Sequence, residues 1–252
     1  MPIAADDPLA VDATSAVQAG DLDALDRLLE THPELATARL GDEGCSRTLL
    51  HVATDWPGHF PNGPAVVTRL VRAGAEVDAR FVGGHAETPL HWAASSDDVD
   101  VLDALLDAGA DIEAPGAVLG GGSPLADACG FGNWAAARRL VERGARTRLR
   151  DAAALGMLDR VEAAFADRSA SPTDQEVTAA FWSACHGGQQ ATAAVLLDRG
   201  ADLNWVGWDD LTPLDVARRS GFGRLVEWLG GLGARSADEV TAPPAEGPSE
   251  RP

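Results

Sequence analysis

A six-residue phrase recurs at a fixed distance from a Gly-Ala pair, and that period restricts the chain to architectures built from stacked copies of one small unit. Thr88-Pro89-Leu90-His91-Trp92-Ala93 returns as Thr212-Pro213-Leu214-Asp215-Val216-Ala217, with looser forms at Thr48-Leu49-Leu50-His51-Val52-Ala53 and Ser123-Pro124-Leu125-Ala126-Asp127-Ala128. From the Thr or Ser to the closing glycine is 21 positions in three copies (88 to 109, 123 to 144 and 212 to 233). Gly74-Ala75 and Gly200-Ala201 close two more units.

The local chemistry of each copy predicts a pair of helices. Threonine caps the first free amides, and proline occupies the first helical position, where its missing N–H costs nothing. A second amphipathic run follows, for example Val99, Val101, Leu102, Leu105 and Leu106, and Gly109 stops it. One such pair cannot bury its apolar faces alone, so neighbours must stack.

Thr-Pro-Leu-His-x-Ala with a Gly-Ala-Asp-x-Asn ending, the latter present as Gly200-Ala201-Asp202-Leu203-Asn204, resembles the ankyrin repeat. The resemblance covers roughly residues 45 to 235 and is most similar to the stand-alone ankyrin-repeat proteins of bacteria. It implies an all-α solenoid of helix-turn-helix units, with first helices inside, second helices outside and finger loops along one edge. It implies protein binding, and no biochemical activity comes with it.

On this reading residues 1–10 are a disordered tip and 11–44 a capping helix pair. Residues 45–235 hold about six units, the fourth of them degenerate at 147–173, and 236–252 form a disordered proline-rich tail. The first full unit departs from the period. Thr48 to Gly74 is 26 positions, so five residues are inserted within Asp55–Pro64, an expected ordered loop in which Trp56 and Phe60 supply packing. Two fingers, 74 to 88 and 109 to 123, are longer than the one from 200 to 212. The second carries Gly120-Gly121-Gly122, and Asp167–Pro172 reads as a turn or joint.

Charge narrows the partners. Twenty basic residues, all arginine, stand against 39 acidic ones, a formal net charge of -19. Such a field repels phosphate backbones and anionic lipid, so neither nucleic acid nor membrane is expected, and a protein with a basic or mixed surface suits it better. Cys45, Cys129 and Cys185 are scattered and odd in number, pointing to reduced thiols in a cytoplasm. No apolar run is long enough to span a bilayer, and residues 1–7 carry no secretory signal pattern. A monomer is expected.

Counting along the first helices places Trp92, Asp127, Phe131, Asp151 and His186 on the presumed inner face, next to Asp55 and His59 of the inserted loop. Trp205 and Trp208 lie on a finger. These nine are the candidate binding residues, with no catalytic residue, metal ligand or cofactor assigned. Each has a plainer reading: Trp92 as packing between units, Asp127 and Asp151 as acceptors for nearby backbone or arginine, and Trp205 and Trp208 as cover for an adjacent finger. His51 and His91 are expected to make hydrogen bonds between units. Arg138 to Arg150 reads as a solvated, salt-bridged outer face.

Two alternatives to a scaffold remain open from sequence. One is a metal site or hydrolase near His51, Asp55 and His59, although no His-Glu-x-x-His or paired cysteine supports it. The other is an acidic inhibitor that masks a basic protein by charge.

Overall fold

At the start of the helix Pro89–Ser95 the Nδ1 of His91 accepts the Thr88 N–H at 3.1 Å and lies 2.9 Å from its Oγ1. Nδ1 is therefore the unprotonated nitrogen. Nε2 carries the hydrogen and donates it to the Gly122 carbonyl at 3.3 Å, one residue before the cap of the next unit. His51 repeats the arrangement, capping Thr48 and reaching the Glu87 carbonyl at 3.2 Å. The same side chain thus starts its own helix and ties it to its neighbour.

The computed structural model describes residues 2–118, 121–166 and 171–241, and these fall into two compact units, Met1–Arg146 and Thr147–Pro252. In the first, α1 (Pro8–Ala19), α3 (Leu49–Thr54), α5 (Pro89–Ser95) and α7 (Pro124–Phe131) pack one on the next. The partner helices α2 (Leu22–Thr31), α4 (Gly63–Arg72), α6 (Val99–Asp107) and α8 (Trp134–Glu142) form a second layer in the same order. Leu49, Leu50, Leu70, Leu90, Leu102 and Leu125 are completely buried between the layers. Each fully buried leucine contributes roughly 1.5–3 kcal/mol, and none of these helices is long enough to hold without that burial.

The second unit uses the same plan. Its first helices are α9 (Leu149–Ala154), α11 (Asp174–His186) and α13 (Pro213–Arg219), and its second helices are α10 (Leu158–Ala163), α12 (Gln190–Asp198) and α14 (Gly223–Gly231). α11 packs on both α9 and α13 around Phe181, Leu196, Leu214 and Leu229. Gly187 makes the α9–α11 approach possible, since a Cβ there would stand 2.0 Å from the Ala154 carbonyl oxygen.

Short loops follow the second helices. Gly109 has φ +94°, which lets the Ala110 N–H return to the Leu105 carbonyl at 3.0 Å and close α6. The fingers are joined by a repeated bond. The side chain four places after the closing glycine accepts the N–H two places after the next one: Asp78 from Asp111 (3.0 Å), Glu113 from Arg146 (2.7 Å) and Asn204 from Arg235 (2.7 Å). On the outer helices Asp103 receives both Arg139 and Arg143, and hydrogen bonds from Arg139 hold its carboxyl below the usual range. The arginine-rich run is salt-bridged there, as its composition suggests.

Three expectations about the chain change. Residues 3–10 are not a loose tip: Ile3 bridges to Leu40 in parallel, and Asp7 caps α1 by accepting the Leu9 N–H at 2.8 Å. The tail is not irregular from 236, because α15 (Ala237–Thr241) follows Ser236 and is held where Asp215 accepts the Ala237 N–H at 2.7 Å. Residues 242–252, Gly120 and most of the joint at 167–170 lie outside the described residues. The inserted loop is held by polar bonds, and Trp56 takes no part in its packing. The Asn62 amide donates to the Gly20 carbonyl at 2.9 Å, the His59 N–H to Asp98 at 2.6 Å, and α4 already begins at Gly63. Trp56 is left 81% exposed. No helix among the described residues is long and apolar enough to cross a membrane.

Candidate functional site

Several separate segments of the first unit border an open cavity of about 570 Å³. The inserted loop contributes Asp55 and Trp56, α5 contributes Trp92, Ser95 and Ser96, and Phe131 comes from the end of α7. The positions of Trp92, Ser95 and Ser96 follow from helical periodicity, since residues three and four apart share a face. The finger between α4 and α5 supplies His85 and Glu87. It is folded back by a Phe81 N–H to Glu87 carbonyl bond of 2.8 Å, with Phe81 stacked on the His85 ring at 4.7 Å.

Glu87 is the polar centre of this site. Only 5% of the residue is exposed. Its Oε2 accepts the Trp92 indole N–H at 3.0 Å and lies 2.7 Å from Nδ1 of His85, while the Val118 N–H approaches Oε1 at 3.4 Å. Trp92 is fixed further by an edge contact with His51 at 4.9 Å. The hydroxyl of Ser95 is buried with no hydrogen-bond partner among the described residues. Asp55 is paired with Arg47. Phe131, half exposed at 50%, and Trp56 present open rings at the mouth. No arginine is among the described residues that line it.

Asp55, Trp92 and Phe131, picked out by sequence, are thus brought together. Trp56, His85 and Glu87 were missed as binding candidates. A tryptophan beside proline and glycine in an insertion was a usable signal for Trp56; nothing in the pattern marks a carboxylate one residue before a helix cap. His59 does not line the cavity, and its ring Nδ1 lies 3.9 Å from Asp98.

Asp127 and Asp151 are not surface residues. Asp127 is wholly buried (0%). It stands four places after its cap, where Val52 is also fully buried, and only a side chain as long as Trp92 emerges from that position. Asp151 instead occupies the place of the motif histidine, and its carboxylate accepts the Arg148 N–H at 2.9 Å to start α9. His51 likewise uses both ring nitrogens within the stack, and burial pulls its pKa down to about 4, as it does for His91. His51, Asp55 and His59 form no ligand set, and among the described residues no group of three or more His, Cys, Asp or Glu is arranged to hold a metal ion.

The second unit carries its own aromatic cluster. Trp208 meets Trp182 edge-on at 4.9 Å and Trp205 at 5.4 Å, and the His186 ring lies 5.5 Å from Trp182. Trp182 is buried, whereas Trp208 is 40% exposed beside Asp209 and Asp210, both with positive φ.

Comparison with the curated proteins finds none that matches this chain. A family model described as ankyrin repeats (3 copies) matches residues 14–116 and 60–151, which together cover more than half of it. With the capping histidines, the two helix layers and the bonded fingers, this places the chain in the ankyrin-repeat family.

Proposed function

We propose that the protein is a binding scaffold that docks a segment of another protein in the cavity of its first unit. Ankyrin repeats mediate protein–protein interactions and are typically non-enzymatic. The observation that carries the reading is the pairing of two open aromatic rings, Trp56 and Phe131, with a buried carboxylate, Glu87, in one cavity. Open rings are costly on a soluble surface, and an aromatic anchor over a precisely placed polar group is the common anatomy of a binding hot spot. A partner with a basic or mixed surface complements the net charge of -19. Among the described residues no hydroxyl lining the cavity is hydrogen-bonded to a histidine or carboxylate, which favours binding over catalysis. The protein acts as a monomer in the cytoplasm, where Cys45, exposed, stays reduced and burial pushes the Cys185 thiol up.

Quantitative affinity capture from the native cell tests this, comparing wild type with the Trp56→Ala/Phe131→Ala double variant. Both rings are at the surface, so the variant keeps its helical circular dichroism. Loss of specific partners with that spectrum unchanged supports the reading; recovery of the same partners in equal amount refutes it.

A further inference from the structure

Resting on that docking site, we infer that the group it takes is the guanidinium of an arginine in an extended segment of the partner protein. The walls are aromatic, with Trp56 and Phe131 open and Trp92 between them, and the flat face of a ring attracts a cation. The polar atoms within are acceptors in want of a donor. Among the described residues, Oε1 of Glu87 has only the long 3.4 Å contact from Val118, and the buried Ser95 hydroxyl has no partner. A cation entering here meets a carboxylate, and no arginine is among the described lining residues.

Three occupants compete on chemistry. An apolar side chain would cover the rings but leave Oε1 of Glu87 and the Ser95 hydroxyl buried and unsatisfied, which is the expensive outcome. Lysine brings the charge, but as a compact, strongly hydrated point that cannot lie flat on a ring. Arginine has a planar face for Trp56 or Phe131 and several donors in its edge for the carboxylate and hydroxyl, and it gives up its water more readily. The cavity, at about 570 Å³, is within the range of ligand sites and larger than one side chain, so the flanking backbone of the segment enters with it.

The test selects peptides from a random dodecapeptide display library on the full chain, then measures the best binder by calorimetry. The expected peptides carry a shared arginine, and replacing it with citrulline, which keeps the shape and removes the charge, weakens binding roughly tenfold or more. Lysine in its place weakens binding also. Glu87→Gln, which keeps an acceptor for Trp92, and Ser95→Ala each reduce affinity for the arginine peptide while leaving the citrulline peptide little changed. A citrulline peptide that binds within twofold of its parent overturns the inference, and because it uses the wild-type protein it does so regardless of how the variants fold. If the selected peptides need Trp56 and Phe131 yet share no arginine, the docking reading stands and the arginine is wrong. Failure to recover any peptide that depends on those two rings overturns both.

Discussion

The indole N–H of Trp182 donates to the Leu211 carbonyl at 2.9 Å, one residue before the Thr212 cap. That is the place in the stack where Nε2 of His91 reaches Gly122 and Nε2 of His51 reaches Glu87. A tryptophan in the second unit therefore makes the tie to the next unit that histidine makes in the first, without the capping half of that role. Its ring also supports Trp208, so the bond between neighbouring helices and the exposed aromatic finger share one residue. Trp182→Phe keeps most of the apolar volume and removes the donor. It is expected to lower stability by about 1–3 kcal/mol in urea unfolding; an unchanged midpoint would mean the bond contributes nothing.

The two capping histidines make stability depend on pH. Burial lowers the pKa of each to about 4, from 6.5. The unfolded chain takes up protons at these rings near pH 6.5, while the folded protein refuses them until about pH 4. Their contribution is thus present above pH 6.5 and drains away as pH falls towards 4, by at most about 3 kcal/mol per ring. Carboxylates titrate in the same range, so the informative quantity is a difference. His91→Gln is less stable than wild type at pH 7, and the gap narrows by pH 5. A gap constant with pH would show that His91 is not held neutral.

Gly187 reports on how closely α9 and α11 approach. Its φ is ordinary, -85°, so alanine is conformationally acceptable and even favoured in the unfolded balance. The obstacle is the Ala154 carbonyl oxygen, 2.0 Å from the would-be Cβ, and backbone cannot swing aside as a side chain can. Gly187→Ala should therefore destabilise by about 1–3 kcal/mol or more, seen as a lower melting temperature. Gly109→Ala offers a comparison: it meets no atom within 4 Å, and its cost is that of the φ of +94° alone.

The stack was legible from sequence because each unit repeats its own instructions. Thr88-Pro89-Leu90-His91 encodes a cap, a helix start and a bond to the next unit within four residues, and the 21-position spacing to Gly109 encodes the second helix. Even Trp182 could be aligned with His91, although its N–H to Leu211 could not be foreseen. The site was only half legible. Helical counting put Trp92 and Phe131 on the same side, but the depth of each position depends on how closely neighbouring helices approach over alanines, and that buried Asp127. Asp151, counted among the groove candidates, takes instead the acceptor role also read for it in the sequence, binding the Arg148 N–H at the start of α9. Glu87 and His85 enter through the fold of a finger held by the Phe81 to Glu87 backbone bond, a tertiary relation with no periodicity behind it.

Trp56 and Trp92 border the same cavity and should respond to substitution to very different degrees. Trp92 is anchored, with its N–H on the carboxylate of Glu87 and its ring edge-on to His51. Trp92→Phe takes a donor from that buried carboxylate and should cost about 1–3 kcal/mol in thermal unfolding. Trp56 is 81% exposed and sits in a loop whose bonds run through Asp55, His59 and Asn62, so its ring holds nothing in place. Trp56→Ala should shift stability by no more than about 0.5 kcal/mol. In acrylamide quenching, that substitution removes the most accessible part of the emission, while Trp92→Phe leaves it. If Trp56→Ala instead lowers the melting temperature as much as Trp92→Phe does, the ring is part of the packing, and its exposure no longer argues for a partner.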